Sequence, residues 1–475
     1  MKRLSGLDAA FLALESEQWP AHVACVTVFD PAECPNGYSS DALKKTLEER
    51  LHLLPPFRWR LAEPPLGLGR PHWIEDPDFD LDWHIHRVAL PAPGGREELA
   101  KLAAEIYRHR LDRRRPLWEL WVIEGLEHGY VAVFWKIHHS CIDGMSGAAM
   151  QEVMFDRDPT GTTPVEPPTT TWTPEQPPSP ASLLISSLPS FAATPVRLVR
   201  HLSGMIGDAP SVMRARRGSS QQLTAPRTSF NAPVTQHRTW GFCSLSLGDI
   251  KLVKNTFGVK VNDVVLAVAA GSLRSYLQDR DELPDVPLVA SVPVNIRADG
   301  DATGGNMISG MAASLATDIA DPVERLHKIH EGTQAAKMMQ EAMGADMLMA
   351  LADTPPPMML SLALRFYGKT QLVKRLPPLF NLPISNVPGP REPLYVQGAP
   401  IKAFYSMGII FDGIGIFIGG MSYQDQMDFG VLACQELVED PFVIADGMVE
   451  ELNLLVKAAH AVAPPKAPRP RVRSS

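Results

Sequence analysis

The sequence predicts a protein of two α/β domains joined by a proline-rich linker. The chain has 475 residues, more than one hydrophobic core usually organises, so two domains are expected. Apolar runs rich in β-branched residues alternate with segments of helical period, as they do in mixed α/β layers. Between residues 159 and 180 the composition turns to Pro, Thr and Glu without either period. That change is typical of an extended linker.

Composition and charge narrow the class of protein. With 45% hydrophobic and 21% charged residues, the chain is globular rather than disordered. A net charge of -8 argues against a nucleic-acid partner, which usually requires a basic face. The five cysteines are scattered and never form a C-x-x-C pair, which favours a reducing compartment. We find neither a signal-peptide pattern nor an apolar run of transmembrane length, so a soluble or peripheral protein is expected.

The first domain is expected over residues 1–158, and its elements follow from two periodicities. Alternating or continuously apolar runs predict strands, and apolar residues three or four apart predict helices. The predicted elements are a strand over Ala21 to Phe29, a helix capped by Ser39 or Ser40, a helix over Glu97 to Arg110, and a hairpin of Leu117 to Glu124 with Val131 to His138.

Two basic segments each allow two interpretations. Arg113 to Arg115 follow a predicted helix and form either a solvated helix end or a site for an anionic ligand. Ser182 to Ile206, within the linker region 159–228, has an apolar helical face with arginines elsewhere. It either lies on a lipid surface or packs on its own domain. The tail, residues 463–475, is basic and Pro-rich, and is expected to be disordered.

The second domain is expected over residues 229–462. Its helices and strands follow from the same periodicities, and Asp321-Pro322 marks a clear helix start. A turn over Gln424 to Gln426 separates two apolar runs. The predicted elements are a strand over Trp240 to Leu247, a helix over Asp249 to Phe257, a helix capped by Asn262, a strand over Val286 to Val292, a helix from Pro322, and a hairpin of Phe417 to Tyr423 with Met427 to Ala433.

The segment His138 to Gly144, HHSCIDG, is the main candidate for chemistry. It stands where a strand-like run meets a helix-like run, so its side chains emerge at a strand end. Neighbouring strand residues face opposite sides, so we expect one histidine to work and the other to pack. An imidazole suits general base catalysis near neutral pH. Neither paired cysteines nor a His-x3-His spacing lies nearby, so no metal site is expected.

Several separated blocks together resemble one family. His138 to Gly144 resembles the HHxxxDG motif of the coenzyme A-dependent acyltransferase superfamily, which includes chloramphenicol acetyltransferases and peptide-synthetase condensation domains. With five further blocks, the chain from residue 4 to about 455 resembles the bacterial wax ester synthase/diacylglycerol acyltransferase family, in the style of mycobacterial triacylglycerol synthases. These blocks are Leu4 to Leu12, Pro116 to Glu119, Asn262 to Ala267, Pro293 to Arg297 and Asn386 to Pro390.

This resemblance implies a fold and an activity. The fold would be two chloramphenicol acetyltransferase-like α/β domains, with mixed sheets flanked by helices and an active-site tunnel between them. The activity would be direct transfer of a long-chain acyl group from acyl-CoA, a co-substrate, to diacylglycerol or a long-chain alcohol in a ternary complex. No cofactor is implied. A cytoplasmic location is expected, and peripheral attachment to the inner membrane or to lipid inclusions stays open.

The resemblance also implies roles within the motif. His139 would take the proton of the alcohol as the single base, and His138, the other histidine of the catalytic motif, would pack or hydrogen-bond beside it. Gly144 would let the backbone pass close to substrate. The thiol of Cys141 could act as a nucleophile, but direct transfer needs no acyl-enzyme, so no such role is expected.

Four residues outside or at the end of the motif complete the candidate site. Asp143 would order the loop through a salt bridge to Arg297. Asn262 would make a second polar contact at the reaction centre, in addition to capping its helix. Asp263 would support the helix start through the helix dipole. The turn at Gln424 departs from the family pattern, because it lacks the expected glycine.

Two other functions remain possible from the sequence. His138 and Asp143 also satisfy the H-x4-D pattern of membrane glycerolipid acyltransferases, but the other blocks have no place in that class. A lipid-surface binding protein with weak or no acyltransferase activity is the alternative from a different class. The intact His139, Asp143 and Asn262 favour the enzyme.

Overall fold

A computed structural model describes residues 2–65, 69–141, 147–160, 176–185, 225–295, 308–343 and 377–462. Its N-terminal half begins with a short strand and a helix and continues as the sequence pattern predicts. Ser39 caps the second helix, because its Oγ accepts a hydrogen bond from the backbone N–H of Ala42. The elements are β1 (Lys2–Arg3), α1 (Gly6–Leu14), β2 (His22–Phe29), α2 (Ser40–Arg50), β3 (Trp59–Ala62), β4 (His72–Glu75), β5 (Ile85–Ala89), α3 (Arg96–Arg108), β6 (Trp118–Glu124), β7 (Val131–His138) and α4 (Gly147–Met154).

The C-terminal half alternates helices and strands and ends in a long helix. Its second and third helices and the last helix pack over one sheet. The elements are β8 (Arg238–Ser246), α5 (Leu247–Phe257), α6 (Val261–Gln278), β9 (Val289–Asn295), β10 (Ile308–Ser314), α7 (Pro322–Met343), β11 (Leu382–Pro388), β12 (Tyr395–Val396), β13 (Ala399–Met407), β14 (Ile416–Tyr423), β15 (Gln426–Cys434) and α8 (Phe442–Val462).

Both large sheets are mixed. The N-terminal sheet has the order β12-β13-β2-β7-β6-β5, and only β5 and β6 run parallel in it. The C-terminal sheet has the order β10-β9-β11-β14-β15-β8, in which β11 is parallel to both of its neighbours. A small third sheet joins β1, β4 and β3. The predicted fold class, mixed sheets flanked by helices in two domains, is confirmed.

Strand β7 lies at the centre of the N-terminal sheet and is buried on both faces. Val133 and Trp135 face one core cluster, which α2 and the small sheet cover. Phe134 faces a second cluster, which contains α3 and also Trp240 and Phe442 of the C-terminal half. The strand that carries His138 therefore lies between the two halves of the protein.

Two strands of the C-terminal half, β12 and β13, belong to the N-terminal sheet. β13 pairs antiparallel with β2, placing Phe404 opposite Thr27. β12 continues the same edge. We call β12 and β13 the exchanged hairpin, because they follow β11 in the chain but pair within the N-terminal sheet. The backbone N–H of Phe404 donates to Asp428 Oδ2 of β15 at 2.8 Å, which connects this hairpin to the C-terminal sheet.

The predicted boundaries at 158/159, 228/229 and 462/463 stay predictions.

Most predicted elements are confirmed, with ends shifted by one to three residues. The β14–β15 hairpin turns through two residues, Gln424 and Asp425, since Tyr423 pairs with Gln426. Gln424 has φ +52°, so a non-glycine side chain occupies the left-handed position where glycine was expected. Residues 186–206 of the amphipathic segment and the tail from 463 lie outside the described residues.

In the part of the chain that the structure describes, no single helix is both long and apolar enough to cross a membrane. One pair, Leu247–Phe257 with Val261–Gln278, passes together but bends by 105°.

Candidate active site

The histidine pair stands at the end of β7, where the chain turns into a short 3-10 helix, His139–Cys141. The backbone N–H of His138 donates to Leu117 O at 2.9 Å, and that of His139 donates to Ala21 O at 2.9 Å. These bonds fix the last residue of β7 and the first residue of the short helix to the residues that precede β6 and β2. The sheet therefore fixes the backbone from which the imidazole of His139 projects.

His139 keeps part of its surface accessible, whereas His138 is fully buried. Phe11 of α1 stacks on the His139 ring with centroids 4.1 Å apart and planes inclined by 26°. Burial lowers the pKa of His139 from 6.5 to about 4, and the nearby Asp8 carboxylate opposes this decrease. The imidazole is therefore neutral at pH 7 and can accept a proton from a substrate hydroxyl.

His138 is held by its own turn. The backbone N–H of Ser140 donates to His138 Nδ1 at 3.2 Å, and Ser140 Oγ lies 2.7 Å from the same nitrogen. Burial lowers the pKa of His138 well below its usual value, and Arg113 and His139 lower it further. Since Nδ1 accepts a hydrogen bond, the proton of the neutral ring is on Nε2. These contacts are those of a residue that shapes the loop.

Cys141 is buried, and burial raises the pKa of its thiol far above the usual range. A thiolate is therefore strongly disfavoured at neutral pH, which argues against Cys141 as a nucleophile.

Asp143 and Gly144, together with Arg297, lie outside the described residues. Their roles and the predicted Asp143–Arg297 salt bridge stay predictions.

Asn262 is not the N-cap of its helix, so that prediction was wrong. The helix begins at Val261 with Lys260 as N-cap, because Asp263, at the third helical position, accepts the backbone N–H of Lys260 at 2.9 Å. Asp263 is buried and also accepts from Thr333 Oγ1 at 2.7 Å. It stabilises the helix start through these bonds.

Asn262 instead meets a residue of a distant block. Asn386 of β11 donates through Nδ2 to Asn262 Oδ1 at 3.5 Å. The two blocks that begin at these asparagines are thus adjacent in space although 124 residues apart. Asn262 uses its carbonyl oxygen in this bond, which leaves its amide N–H groups for another acceptor.

The helix α1 contributes side chains whose roles the sequence reasoning missed. Asp8 and Phe11 lie beside His139, and Glu15, the residue after α1, lies beside His138. A spacing of three or four residues places them on one helical face. The block Leu4 to Leu12 contributed to the family resemblance, but its helical spacing alone could not show that this face lies against the two histidines.

The three arginines after α3 do not form an open anion site. Arg113 donates from Nε and from a terminal nitrogen to Glu15 Oε2 at 2.9 and 2.7 Å. Arg114 binds Asp112 at 2.8 Å. Arg115 lies over the ring of Trp83, 3.7 Å from its centroid. Each of the three guanidinium groups therefore contacts another residue of this chain.

A cavity of about 130 Å³ lies between α1, the small sheet and the histidine turn. It is smaller than the ~300–1,000 Å³ typical of small-molecule sites. Over the described ranges, no cluster of three or more His, Cys, Asp or Glu side chains is arranged to bind a metal ion. The cavity is lined by Lys2, Arg3, Leu4, Ser5, Asp8, Trp59, Trp73, Ser140 and Cys141.

Comparison with solved structures agrees with this architecture. The wax ester synthase/diacylglycerol acyltransferase from Marinobacter aquaeolei VT8 superposes with a TM-score of 0.68 at 30% identity, covering 97% of this chain and 100% of that one. The starter condensation domain of rhizomide synthetase, solved with C8-CoA and Leu-SNAC, superposes with a TM-score of 0.55 at 14% identity over 97% of this chain and 94% of that one. The second likeness concerns the fold alone.

Sequence relatives cover nearly the whole chain. A Mycobacterium tuberculosis H37Rv protein with the provisional name diacylglycerol O-acyltransferase is 35% identical over 466 residues, 97% of this chain and 91% of the relative. A second from the same strain is 38% identical over 458 residues, 92% of this chain and 95% of the relative. The catalytic-domain model of the family matches residues 4–265, and its C-terminal-domain model matches residues 304–456. The chain therefore belongs to the wax ester synthase/diacylglycerol acyltransferase family.

Proposed function

We propose that this chain transfers a long-chain acyl group from acyl-CoA to the hydroxyl of diacylglycerol, and also to that of a fatty alcohol. The observation that carries the proposal is the partly accessible His139, whose low pKa keeps its ring neutral at the end of β7. Family membership and the names of the relatives support the substrate classes.

The proposed reaction is direct transfer in a ternary complex. His139 takes the proton of the acceptor hydroxyl as its oxygen attacks the thioester carbon. The tetrahedral intermediate then collapses, the C–S bond breaks, and the imidazolium returns the proton to the coenzyme A thiolate. Oxygen ester and free thiol are the products. The buried, protonated thiol of Cys141 supports a route without an acyl-enzyme.

Asn262 is our candidate for stabilising the negative charge on the thioester oxygen. Its carbonyl oxygen accepts from Asn386, so the proposal assigns its N–H groups as the donors to that oxygen. Asp143, through Arg297, would order the loop that follows the histidines. Because both acceptor alcohols are apolar and reside in lipid, we also propose that the enzyme is cytoplasmic and works peripherally, at a membrane or lipid-inclusion surface.

The test is the release of coenzyme A from palmitoyl-CoA in the presence of diacylglycerol or hexadecanol. His139→Ala is expected to abolish turnover, since it removes the imidazole that we propose as the proton acceptor. His109→Ala, which removes an exposed histidine of the same domain, is the matched control and should remain fully active. Equal turnover in the wild type and His139→Ala would overturn the mechanism, and absence of turnover with either alcohol would favour the lipid-binding alternative.

A further inference from the structure

Two buried polar atoms face each other behind the histidine turn without a hydrogen bond. Glu15 Oε1 and His138 Nε2 are 3.8 Å apart, and their side chains are 1% and 0% exposed. Among the residues that the structure describes, neither atom has a hydrogen-bond partner. A buried carboxylate oxygen and a buried ring nitrogen are costly in that state, so such atoms usually have a partner.

The other ends of both side chains are fully engaged. Glu15 Oε2 accepts two hydrogen bonds from the guanidinium of Arg113, at 2.9 and 2.7 Å. Arg113 also donates to Leu12 O at 2.5 Å, which ties it to the last turn of α1. On the imidazole, Nδ1 accepts the backbone N–H of Ser140. Arg113 thus fixes the Glu15 carboxylate, and the turn fixes the orientation of the His138 ring.

These contacts determine which nitrogen of His138 carries the proton. Since Nδ1 is an acceptor, Nε2 carries the hydrogen and directs it at Glu15 Oε1. A closing movement of about 1 Å would bring the pair to the usual distance for a charge-assisted bond. The Ser140 bond closes the turn that leads from β7 into the short helix and therefore sets the direction of His139.

We propose that Glu15, held by Arg113, is a positioning residue that keeps His138 in the Nε2–H form, so that His138 Nδ1 locks the Ser140 N–H and thereby orients His139. This inference deepens the proposed function and its effect on turnover rests on it. The tautomer of His138, by contrast, is measurable without turnover.

Glu15→Gln is the sharpest variant, because it changes one donor–acceptor relation at nearly constant shape. Arg113 offers only donors, so the Gln oxygen must face Arg113 and its NH2 group must face His138. His138 can accept from that group only in the Nδ1–H form, which can no longer accept the Ser140 N–H. We expect kcat to fall about 10- to 100-fold, the loss typical of a hydrogen bond to a charged group, with KM for palmitoyl-CoA unchanged.

Glu63→Gln is the matched control. Glu63 is half exposed and meets the same guanidinium at 3.4 Å, so its loss should leave kcat unchanged. His138→Asn is the background for a second test, because an Asn oxygen can accept the Ser140 N–H in place of His138 Nδ1. In that background, adding Glu15→Gln should have no further effect on kcat.

The direct readout is NMR of the protein labelled with ¹⁵N in its histidine rings, with the His138 signals assigned by their loss in His138→Asn. The wild type should show His138 as Nε2–H, and Glu15→Gln should show it as Nδ1–H. An Nδ1–H ring in the wild type would overturn the proposal even if Glu15→Gln failed to fold. Wild-type kcat in a folded Glu15→Gln would also overturn it. If no variant or wild type turned over substrate, the proposed function would fail while the tautomer result still decided this inference.

Discussion

Replacing Asp428 by Asn is expected to flatten the dependence of folding stability on pH. Asp428 is fully buried in β15 and accepts from Ser244 Oγ at 2.6 Å, Gln426 Nε2 at 3.0 Å and the Phe404 N–H at 2.8 Å. Burial raises its pKa from 3.8 to about 6, although these three hydrogen bonds oppose the increase. The carboxylate is thus harder to ionise in the folded chain than in the unfolded one.

The sign follows from proton binding. Between pH 4 and 6 the folded chain holds the proton on Asp428 and the unfolded chain has released it, so the free energy of unfolding decreases as pH rises through this window. A difference between 3.8 and about 6 corresponds to about 3 kcal/mol. Asn cannot ionise, so its variant should lack this part of the decrease.

The assay is urea unfolding of the wild type, Asp428→Asn and Asp425→Asn between pH 4 and 7. Asp425→Asn removes the same charge from an exposed position two residues into the same hairpin turn, so it should keep the wild-type slope. A wild-type slope in Asp428→Asn would show that ionisation of Asp428 does not set the pH dependence. A curve displaced equally at every pH would mean that hydrogen bonding at Asp428, and not its ionisation, sets the effect.

Three more outcomes follow from the site and its support. His139, the proposed base, acts in its neutral form, and its pKa is lowered to about 4. We therefore expect kcat/KM to stay level from pH 8 to near 5 and to be lost as pH falls through about 4. An acid limb near 6.5 in brief assays would contradict this. Cys141→Ala should retain coenzyme A release within a few-fold, whereas loss as complete as in His139→Ala would point to an acyl-enzyme. Asp156→Ala leaves Arg50 buried beside Met154 O without its carboxylate partner, which should cost about 3–5 kcal/mol in urea unfolding. Removing the partly exposed Glu152 carboxylate should cost less than about 1 kcal/mol.

Local rules identified most of the elements of this fold. The alternation in Val131 to His138 predicts a strand, and β7 has those bounds. Asp321-Pro322 predicts a helix start, and Asp321 Oδ1 accepts from the backbone N–H groups of Val323 and Glu324 there. These features depend on neighbours in the chain, which is why the sequence alone reveals them.

The predictions that failed or were missing depend on choices between similar residues or on contacts across long separations. Asn is a good N-cap in general, but Asp263 can reach the Lys260 N–H from within the helix and moves the start by two residues. The Glu15–Arg113 contact spans 98 residues, and nothing in the local pattern of either residue names the other. The motif points to His139 as the candidate base, whereas the contacts by which Glu15 and Arg113 are proposed to orient it required coordinates.

The exchanged hairpin makes the position of the histidine turn depend on both halves of the protein. β13 pairs with β2, and β2 pairs with β7 so that His22 lies opposite His138. If β13 were absent, β2 would become an exposed edge strand beside the strand that carries the turn. The same hairpin is bonded to β15 through Asp428, so the C-terminal sheet is connected through β13 and β2 to β7. The histidine that we propose as the base is thereby positioned by a sheet to which both halves of the chain contribute strands.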